Sequence, residues 1–285
     1  MKSDKELAAF ASKRYGQNFL KNQSYIARII QAMPKDTLPV VEIGPGLGDL
    51  TNALLQSARD VTAFEVDRRL CEHLTKTFEV PIQQGNLSMK CGDAIEHWEQ
   101  KGLLDEPYHL VANLPYYIAT NLLLKALHDP YCQSILTMVQ KEVALKFSAK
   151  PKERDFSALG VLADSAGKAT LCFEVEPEAF VPPPKVTSAV LSIVKFSSLD
   201  DRGFEDFLKA AFSQPRKKLS KNLGTRYPKE RIAKIFSDLD LQETIRPHEA
   251  ATSLYHQIYT ALEQKDTPDG KSRQQPATQT KPKPL

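Results

Sequence analysis

The sequence predicts an α/β fold, in which a mostly parallel sheet with helices on both faces is followed by a small all-helical domain. In residues 1–198, short apolar runs alternate with amphipathic segments, as in parallel strands that are joined by helices. In residues 199–264, apolar side chains recur at helical spacing. Residues 265–285 contain no aromatic and almost no aliphatic side chains, so we expect a disordered tail there.

The predicted elements can be assigned in chain order from short apolar runs and from helical periodicity. A first helix is expected over Asn22–Met33, because its isoleucines fall on one face. The predicted strands are Leu38–Ile43, Asp60–Phe64, Met89–Cys91, Leu110–Ala112, Ile135–Val139 and Val186–Phe196. The predicted helices of the second domain include Phe204–Phe212, Ile232–Leu239 and Tyr255–Leu262.

Composition excludes several classes of protein. With 285 residues, 41% of them hydrophobic and 26% charged, the chain has the make-up of a soluble globular protein of about two domains. No apolar run approaches the roughly 20 residues of a membrane helix, and residues 1–16 lack the apolar core of a signal peptide. We therefore expect a cytoplasmic protein that does not contact membranes.

The cysteines and the net charge carry little information by themselves. Four cysteines lie far apart without a CxxC pair, so we expect free thiols in a reducing compartment and no metal site. The net charge of +3 is too small to imply a nucleic-acid partner. The position of the positive charge along the chain is therefore the more useful observation.

A glycine-rich turn follows the first predicted strand. The stretch "VVEIGPGLGDLT" places Gly44, Gly46 and Gly48 where a ligand could approach the backbone and the start of a helix. A P-loop is excluded because no GK[ST] follows, and Asp49 departs from the dinucleotide fingerprint. A turn without a phosphate cradle suits S-adenosylmethionine, although a purely structural turn is the alternative.

Two carboxylates follow later strands in positions that suit a nucleoside. Glu65 ends the second strand, where it can accept hydrogen bonds from both ribose hydroxyls, and Asp93 follows the third, where it can accept from an adenine amino group. The alternatives are a solvated charge at Glu65 and an ordinary Gly-Asp turn at Asp93. Asp67 is expected to cap the following helix.

The stretch "NLPYYI" follows the fourth strand and resembles the N-[LIP]-P-[YF] motif of methyltransferases that act on exocyclic amino groups of bases. In that chemistry the Asn113 side chain and the Leu114 carbonyl accept the amino hydrogens of adenine, Pro115 fixes the turn, and Tyr116 stacks on the base. Taken alone, the stretch would also fit a simple turn with packed tyrosines.

Two outlying segments make the resemblance more specific. "YGQNFL" and "FVPPPKVTSAV", together with the motifs above, resemble the ribosomal RNA adenine N6-dimethyltransferase family over roughly the first 260 residues. The resemblance implies a Rossmann-like methyltransferase domain that uses S-adenosylmethionine. It also implies that Asn18 and Leu20 close over the cofactor and that Phe180 stacks on the target adenine. Taken singly, Asn18 could equally be a turn residue and Phe180 a core aromatic.

Within that family, "PPPKVTSAV" and "FSQPRKKLSKNL" resemble the housekeeping branch. The resemblance implies dimethylation of two adjacent adenosines near the 3′ end of small-subunit (16S) ribosomal RNA, with the immature small subunit as partner and a monomeric enzyme. Pro215 departs from the pattern, because the family usually carries a basic residue there. The rival enzymes are a large-subunit resistance methyltransferase and a DNA adenine methylase. An idle RNA-binding assembly factor and a nicotinamide dehydrogenase are rivals from other classes.

Positive charge is concentrated in the predicted helical domain. Residues 214–234 contain eight basic residues and the single acid Glu230. Such a run is often only a solvated helix face, but beside a base-modifying site it suits phosphate contacts. The predicted RNA-binding residues are Arg216, Lys217, Lys218 and Lys221.

Overall fold

A computed structural model describes residues 10–57 and 59–263, so the predicted disordered tail lies outside the described residues. The strands and helices are labelled in chain order within these ranges. The strands are β1 Phe19–Leu20, β2 Val40–Ile43, β3 Val61–Glu65, β4 Leu87–Cys91, β5 Tyr108–Asn113, β6 Cys132–Gln140, β7 Gly167–Val175, β8 Phe180–Val181 and β9 Ser188–Lys195. The helices are α1 Gln23–Ala32, α2 Asp49–Gln56, α3 Arg68–Thr77, α4 Glu79–Gln83, α5 Ala94–Lys101, α6 Ala119–His128, α7 Lys141–Ser148, α8 Ala158–Ala166, α9 Arg202–Ala211, α10 Leu219–Leu223, α11 Lys229–Asp238 and α12 Thr252–Glu263.

Seven strands form the central sheet in the order β4-β3-β2-β5-β6-β9-β7. Neighbours from β4 to β6 are parallel, whereas β9 is antiparallel to both β6 and β7. All four residues of β2 are buried, as expected for a parallel strand that is covered on both faces. The carboxyl ends of β2, β3, β4 and β5 therefore meet at one edge of the sheet, where the predicted site residues follow each strand.

Every strand predicted from an apolar run is present, and the mostly parallel sheet is confirmed. The first helix is also confirmed, with Asn22 as its N-cap and Ile26 and Ile29 buried. Strand β7 was not predicted. Its residues alternate between buried and more exposed positions at the edge of the sheet, and it has no continuous apolar run.

A second, two-stranded sheet connects distant parts of the chain. Strand β1 is antiparallel to β8, with Phe19 opposite Val181 and Leu20 opposite Phe180. The Lys21 amide extends this pairing by donating to the Ala179 carbonyl at 2.9 Å. The two outlying family-like segments therefore lie side by side in the fold.

The C-terminal helices pack around a second hydrophobic core, in which Phe207 and Tyr255 are fully buried. This core also includes Phe156, Val161 and Leu162 from the end of the first predicted domain. The helices therefore pack firmly on α8, and the domain boundary at residue 198 stays a prediction. In residues 10–57 and 59–263, no helix combines the length and the apolar character that crossing a membrane requires.

The structure corrects the expectation of four free thiols. Cys71 on α3 and Cys91 at the end of β4 form a disulfide, and their Cα atoms are 5.9 Å apart. The two residues are 20 positions apart in sequence, and they become neighbours because α3 packs against β4. Cys132 and Cys172 are free.

Candidate active site

A cleft of about 1030 Å³, counting its open mouth, lies at the carboxyl ends of the parallel strands. The segment before β1 forms part of its wall. The cleft is lined by the predicted residues Asn18, Leu20, Gly44, Gly46, Glu65, Asp93, Asn113, Leu114, Pro115 and Tyr116. The structure thus brings together residues from five separate stretches of the chain.

The glycine turn between β2 and α2 depends on the absence of side chains. Gly44 and Gly46 have φ angles of +72° and +62°, which L-residues rarely adopt. A Cβ atom on Gly46 would lie 2.9 Å from the Phe19 ring. The backbone of the turn therefore lies directly against Phe19, which forms part of the cleft wall.

Glu65 is held against this turn by backbone hydrogen bonds. Its side chain is 3% exposed and accepts from the Gly46 amide at 3.2 Å and from the Asp67 amide at 2.9 Å. Burial raises the pKa of Glu65 to about 7, against the opposing effect of these hydrogen bonds. Asp67 caps α3 by accepting from the Arg69 amide at 3.1 Å, as predicted.

Asp93 lies at the rim of the same cleft and is exposed. Its Oδ1 atom accepts from the Ile95 amide at 2.8 Å, so the residue is the N-cap of α5. A carboxylate has two oxygens, and capping engages one of them. Asp93 can therefore cap the helix and still accept a hydrogen bond from a ligand.

Asn113 ends β5, and its side-chain amide is oriented by the segment before β1. Its Nδ2 atom donates to the Asn18 carbonyl at 3.0 Å. The Oδ1 atom has no hydrogen-bond donor among the described residues, and the same is true of the Leu114 carbonyl. The Leu114 amide donates to the Met138 carbonyl at 3.1 Å, which fixes the backbone. Two neighbouring acceptors are thus left for a ligand.

The two aromatic residues predicted to stack on a base are placed differently. Tyr116 lines the cleft, and its hydroxyl lies 2.6 Å from Ser188 Oγ. Burial raises the pKa of Tyr116, so its ring stays neutral. Phe180 is 2% exposed, belongs to the hydrophobic core and does not line the cleft. Its stacking role stays a prediction, and it would require a movement of the β8 segment.

Sequence reasoning missed a buried acid beneath the glycine turn. Glu42 in β2 is 1% exposed, lines the cleft and accepts from the Thr51 hydroxyl at 2.7 Å. Burial is the main reason that its pKa rises to about 8, and the charge of nearby Glu65 adds to the shift. The available signal was an acid inside the otherwise apolar stretch "VVEI".

The predicted RNA-binding residues lie outside the cleft, on the surface of the C-terminal helices. Within the described part of the chain they are exposed and make no ion pair; they are Arg216, Lys217, Lys218 and Lys221. Buried Asn222 donates to the carbonyls of Ala211 at 2.7 Å and Gln214 at 3.1 Å. These bonds hold the start of the basic segment against α10.

Comparison with known proteins identifies the family. Residues 9–264 match the family model described as ribosomal RNA adenine dimethylase. The chain is 50% identical to the ribosomal RNA small subunit methyltransferase A of Sulfurimonas denitrificans over 249 aligned residues. The alignment covers 87% of this chain and 92% of that protein. It is 49% identical over 255 aligned residues to the protein of the same name from Aliarcobacter butzleri. That alignment covers 88% of this chain and 96% of the relative.

Solved structures agree with the fold. A dimethyladenosine transferase from Plasmodium falciparum superposes with a TM-score of 0.71 at 25% identity, over 84% of this chain and 95% of that one. The 23S rRNA methyltransferase ErmE superposes with a TM-score of 0.66 at 24% identity, over 87% of this chain and 100% of that one. The fold is thus that of a Rossmann-like methyltransferase, as predicted. The chain belongs to the ribosomal RNA adenine dimethylase family.

Proposed function

We propose that this chain dimethylates N6 of two adjacent adenosines near the 3′ end of small-subunit (16S) ribosomal RNA, using S-adenosylmethionine. The observation that carries the proposal is the Asn113 side chain, whose nitrogen is engaged by Asn18 while its oxygen is free beside the Leu114 carbonyl. The similarity to relatives named ribosomal RNA small subunit methyltransferase A supports the choice of RNA.

The residues of the cleft fit S-adenosylmethionine. The positive φ angles of Gly44 and Gly46 bring backbone to the cleft wall, where a ligand without phosphates can pack. Glu65 would accept the ribose hydroxyls and Asp93 the adenine amino group, while Asn18 and Leu20 would cover the cofactor. When bound, S-adenosylmethionine supplies an electrophilic methyl group on its sulfonium.

The target base would be held by acceptors rather than deprotonated by a strong base. Asn113 Oδ1 and the Leu114 carbonyl accept the two amino hydrogens of adenine, which draws its nitrogen toward tetrahedral geometry. Pro115 fixes the turn and Tyr116 supplies a neutral ring for stacking. The methylated nitrogen is acidic and loses its proton readily, so catalysis is mainly positioning and hydrogen bonding.

The basic surface would hold the RNA outside the cleft. We assign phosphate contacts to the exposed residues Arg216, Lys217, Lys218 and Lys221. The partner is then the immature small ribosomal subunit, the site of action is the cytoplasm, and one copy of the chain suffices for each transfer.

Mass spectrometry of ribosomal RNA tests the proposal. Small-subunit RNA from cells that have the gene should carry dimethyladenosine at two adjacent positions, and RNA from cells without it should carry unmodified adenosine there. Restoring the gene should restore both modifications, whereas the Asn113→Ala form should not. Unchanged modification after loss of the gene would contradict the proposal.

A further inference from the structure

One exposed arginine, one exposed tyrosine and one half-buried tyrosine border the mouth of the cleft. The Tyr117 ring is 63% exposed and lies next to Gly16, where an added Cβ would be 3.5 Å from it. Tyr15 precedes Gly16 and also lines the cleft. The Arg14 guanidinium lies over the Tyr15 ring, 5.4 Å from its centroid. We call Arg14, Tyr15 and Tyr117 the mouth strip.

Charges around the mouth strip are largely basic. Beyond Tyr15 an open groove is lined by Arg14, Arg68 and Arg69. Asp67 is the acid of this groove outside the cofactor cleft, and it is paired with Arg69 at 2.7 Å. Arg14 and Arg68 are exposed and make no ion pair with the described residues.

Asp93 is the acid that faces Tyr117. Partial burial raises the pKa of Tyr117, and the nearby Asp93 and Tyr15 raise it further, whereas Arg14 lowers it. The hydroxyl is therefore neutral, and the exposed ring is available for stacking.

Nucleic acid is the ligand that such a surface suits. Aromatic rings stack on bases of any sequence, and interleaved cations contact the phosphates between them. Tyr116 and Tyr117 are consecutive and both line the cleft, but the hydroxyl of Tyr116 is held by buried Ser188, whereas the ring of Tyr117 is exposed at the mouth. The two rings are therefore placed to meet successive bases of one strand.

We propose that the mouth strip binds the RNA strand that flanks the target adenosine, with Tyr117 stacking on a neighbouring base and Arg14 contacting a phosphate. This inference rests on the proposed function, because it assumes that RNA enters the cleft. It adds a second RNA-binding surface on the first domain, separate from the basic segment of the C-terminal helices. Stacking of the neighbouring base would present the second adenosine next to the first.

The test is fluorescence anisotropy with a short labelled single-stranded RNA that carries two adjacent adenosines, in the absence of cofactor. Tyr117→Ala should weaken binding about 5- to 150-fold, while Tyr117→Phe, which keeps the ring, should retain it. Arg14→Gln should weaken binding and flatten the dependence of log affinity on log salt by about 0.7 units. Matched controls are Tyr131→Ala, an exposed tyrosine just before β6, and Arg28→Gln on α1, which lies over the Phe173 ring.

The outcomes separate this inference from the proposed function. RNA affinity that is unchanged in both Tyr117→Ala and Arg14→Gln would overturn it. So would a loss of S-adenosylmethionine affinity in Tyr117→Ala with normal RNA binding, since Tyr117 would then cover the cofactor. Because binding is measured without cofactor, a wild-type protein that binds RNA through the mouth strip yet methylates no small subunit would refute the proposed function alone.

Discussion

Hydrogen bonds within the protein determine which polar atoms of each cleft residue remain available to a ligand. Glu65 accepts backbone hydrogen bonds from Gly46 and Asp67, and among the described residues the one side-chain hydrogen bond of Asn113 is its donation to the Asn18 carbonyl. These contacts fix both side chains before any ligand arrives, so little ordering cost remains on binding. Glu65 and Asn113, which the sequence predicts to be binding residues, are therefore already oriented for binding.

Glu65 provides the first prediction at this scale. Glu65→Ala should weaken S-adenosylmethionine binding by about 1 to 3 kcal/mol, because the ribose hydroxyls would lose a buried acceptor. Isothermal titration calorimetry measures this directly. The exposed Glu72→Ala on α3 is the matched control and should bind normally. Equal affinities in the two variants would rule out the ribose assignment.

Glu42 provides a prediction about pH. Its pKa is about 8 in the folded protein and 4.5 for an ordinary carboxyl, so the folded state binds more protons between these values. Stability therefore falls as pH rises through that window. Glu42→Gln removes this loss and should unfold less readily than the wild type at about pH 8.5, by roughly 1 to 4 kcal/mol, since one pKa unit is worth about 1.4 kcal/mol.

Urea unfolding of the ligand-free protein at several pH values checks this expectation. The advantage of Glu42→Gln should shrink steadily as the pH is lowered toward about 5, because the carboxyl of the unfolded chain then also becomes protonated and the two states bind nearly the same number of protons. Glu72→Gln, which removes an exposed carboxyl on α3, is the matched control. A constant difference between Glu42→Gln and wild type across the range would mean that ionisation of Glu42 is not the cause.

At the scale of elements, what could be predicted depended on local pattern. The apolar runs of β2, β3 and β5 and the amphipathic faces of the helices are properties of contiguous sequence, and they located these elements correctly. The glycine turn and the asparagine motif follow strands, so the topology of a parallel sheet brought them together.

Features that depend on tertiary packing could not be predicted from local sequence patterns. The disulfide between Cys71 and Cys91 arises because a helix packs against a neighbouring strand. The burial of Phe180 follows from its register opposite Leu20. The bond from Asn113 to the Asn18 carbonyl joins residues 95 positions apart. None of these has a local signature in the sequence.

Asn222 provides a prediction for α10 and the segment before it. It is 1% exposed and donates to two backbone carbonyls, so Asn222→Ala should leave the buried Ala211 carbonyl unpaired, while the Gln214 carbonyl keeps its bond from the Lys217 amide. The free energy of unfolding should fall by about 1 to 3 kcal/mol, as measured by urea denaturation. Ser220→Ala on the same helix serves as control. An unchanged stability would show that water replaces the amide without cost.

At the scale of the whole molecule, the chemistry is assigned to the cleft, and RNA affinity is assigned to the mouth strip and to the basic segment of the C-terminal helices. The cleft contains the polar groups for cofactor and base, while unpaired positive charge is exposed on the C-terminal helices. Phosphate contacts release counterions, so the two contributions respond differently to salt. Variants in the two regions should therefore have separable effects.

The triple variant Arg216→Gln, Lys217→Gln, Lys221→Gln tests this division. It should bind small subunits more weakly, most clearly at low salt, and each lost contact should flatten the slope of log affinity against log salt by about 0.7 to 0.9 units. Affinity for S-adenosylmethionine should not change. The control for loss of positive charge alone is the double variant Lys229→Gln, Lys234→Gln. An unchanged slope in the triple variant would show that the basic segment makes no phosphate contacts and would leave the mouth strip as the RNA-binding surface.

Single-turnover methyl transfer to unmethylated small subunits by Asn113→Ala tests the central claim most directly. If Asn113 presents the amino group of adenine, transfer should be lost while S-adenosylmethionine affinity stays within a few-fold of wild type, because the oxygen acts mainly on the reacting nitrogen. Thermal unfolding of the same sample shows whether the fold is intact. A folded Asn113→Ala protein that transfers methyl groups at a near-normal rate would contradict the account.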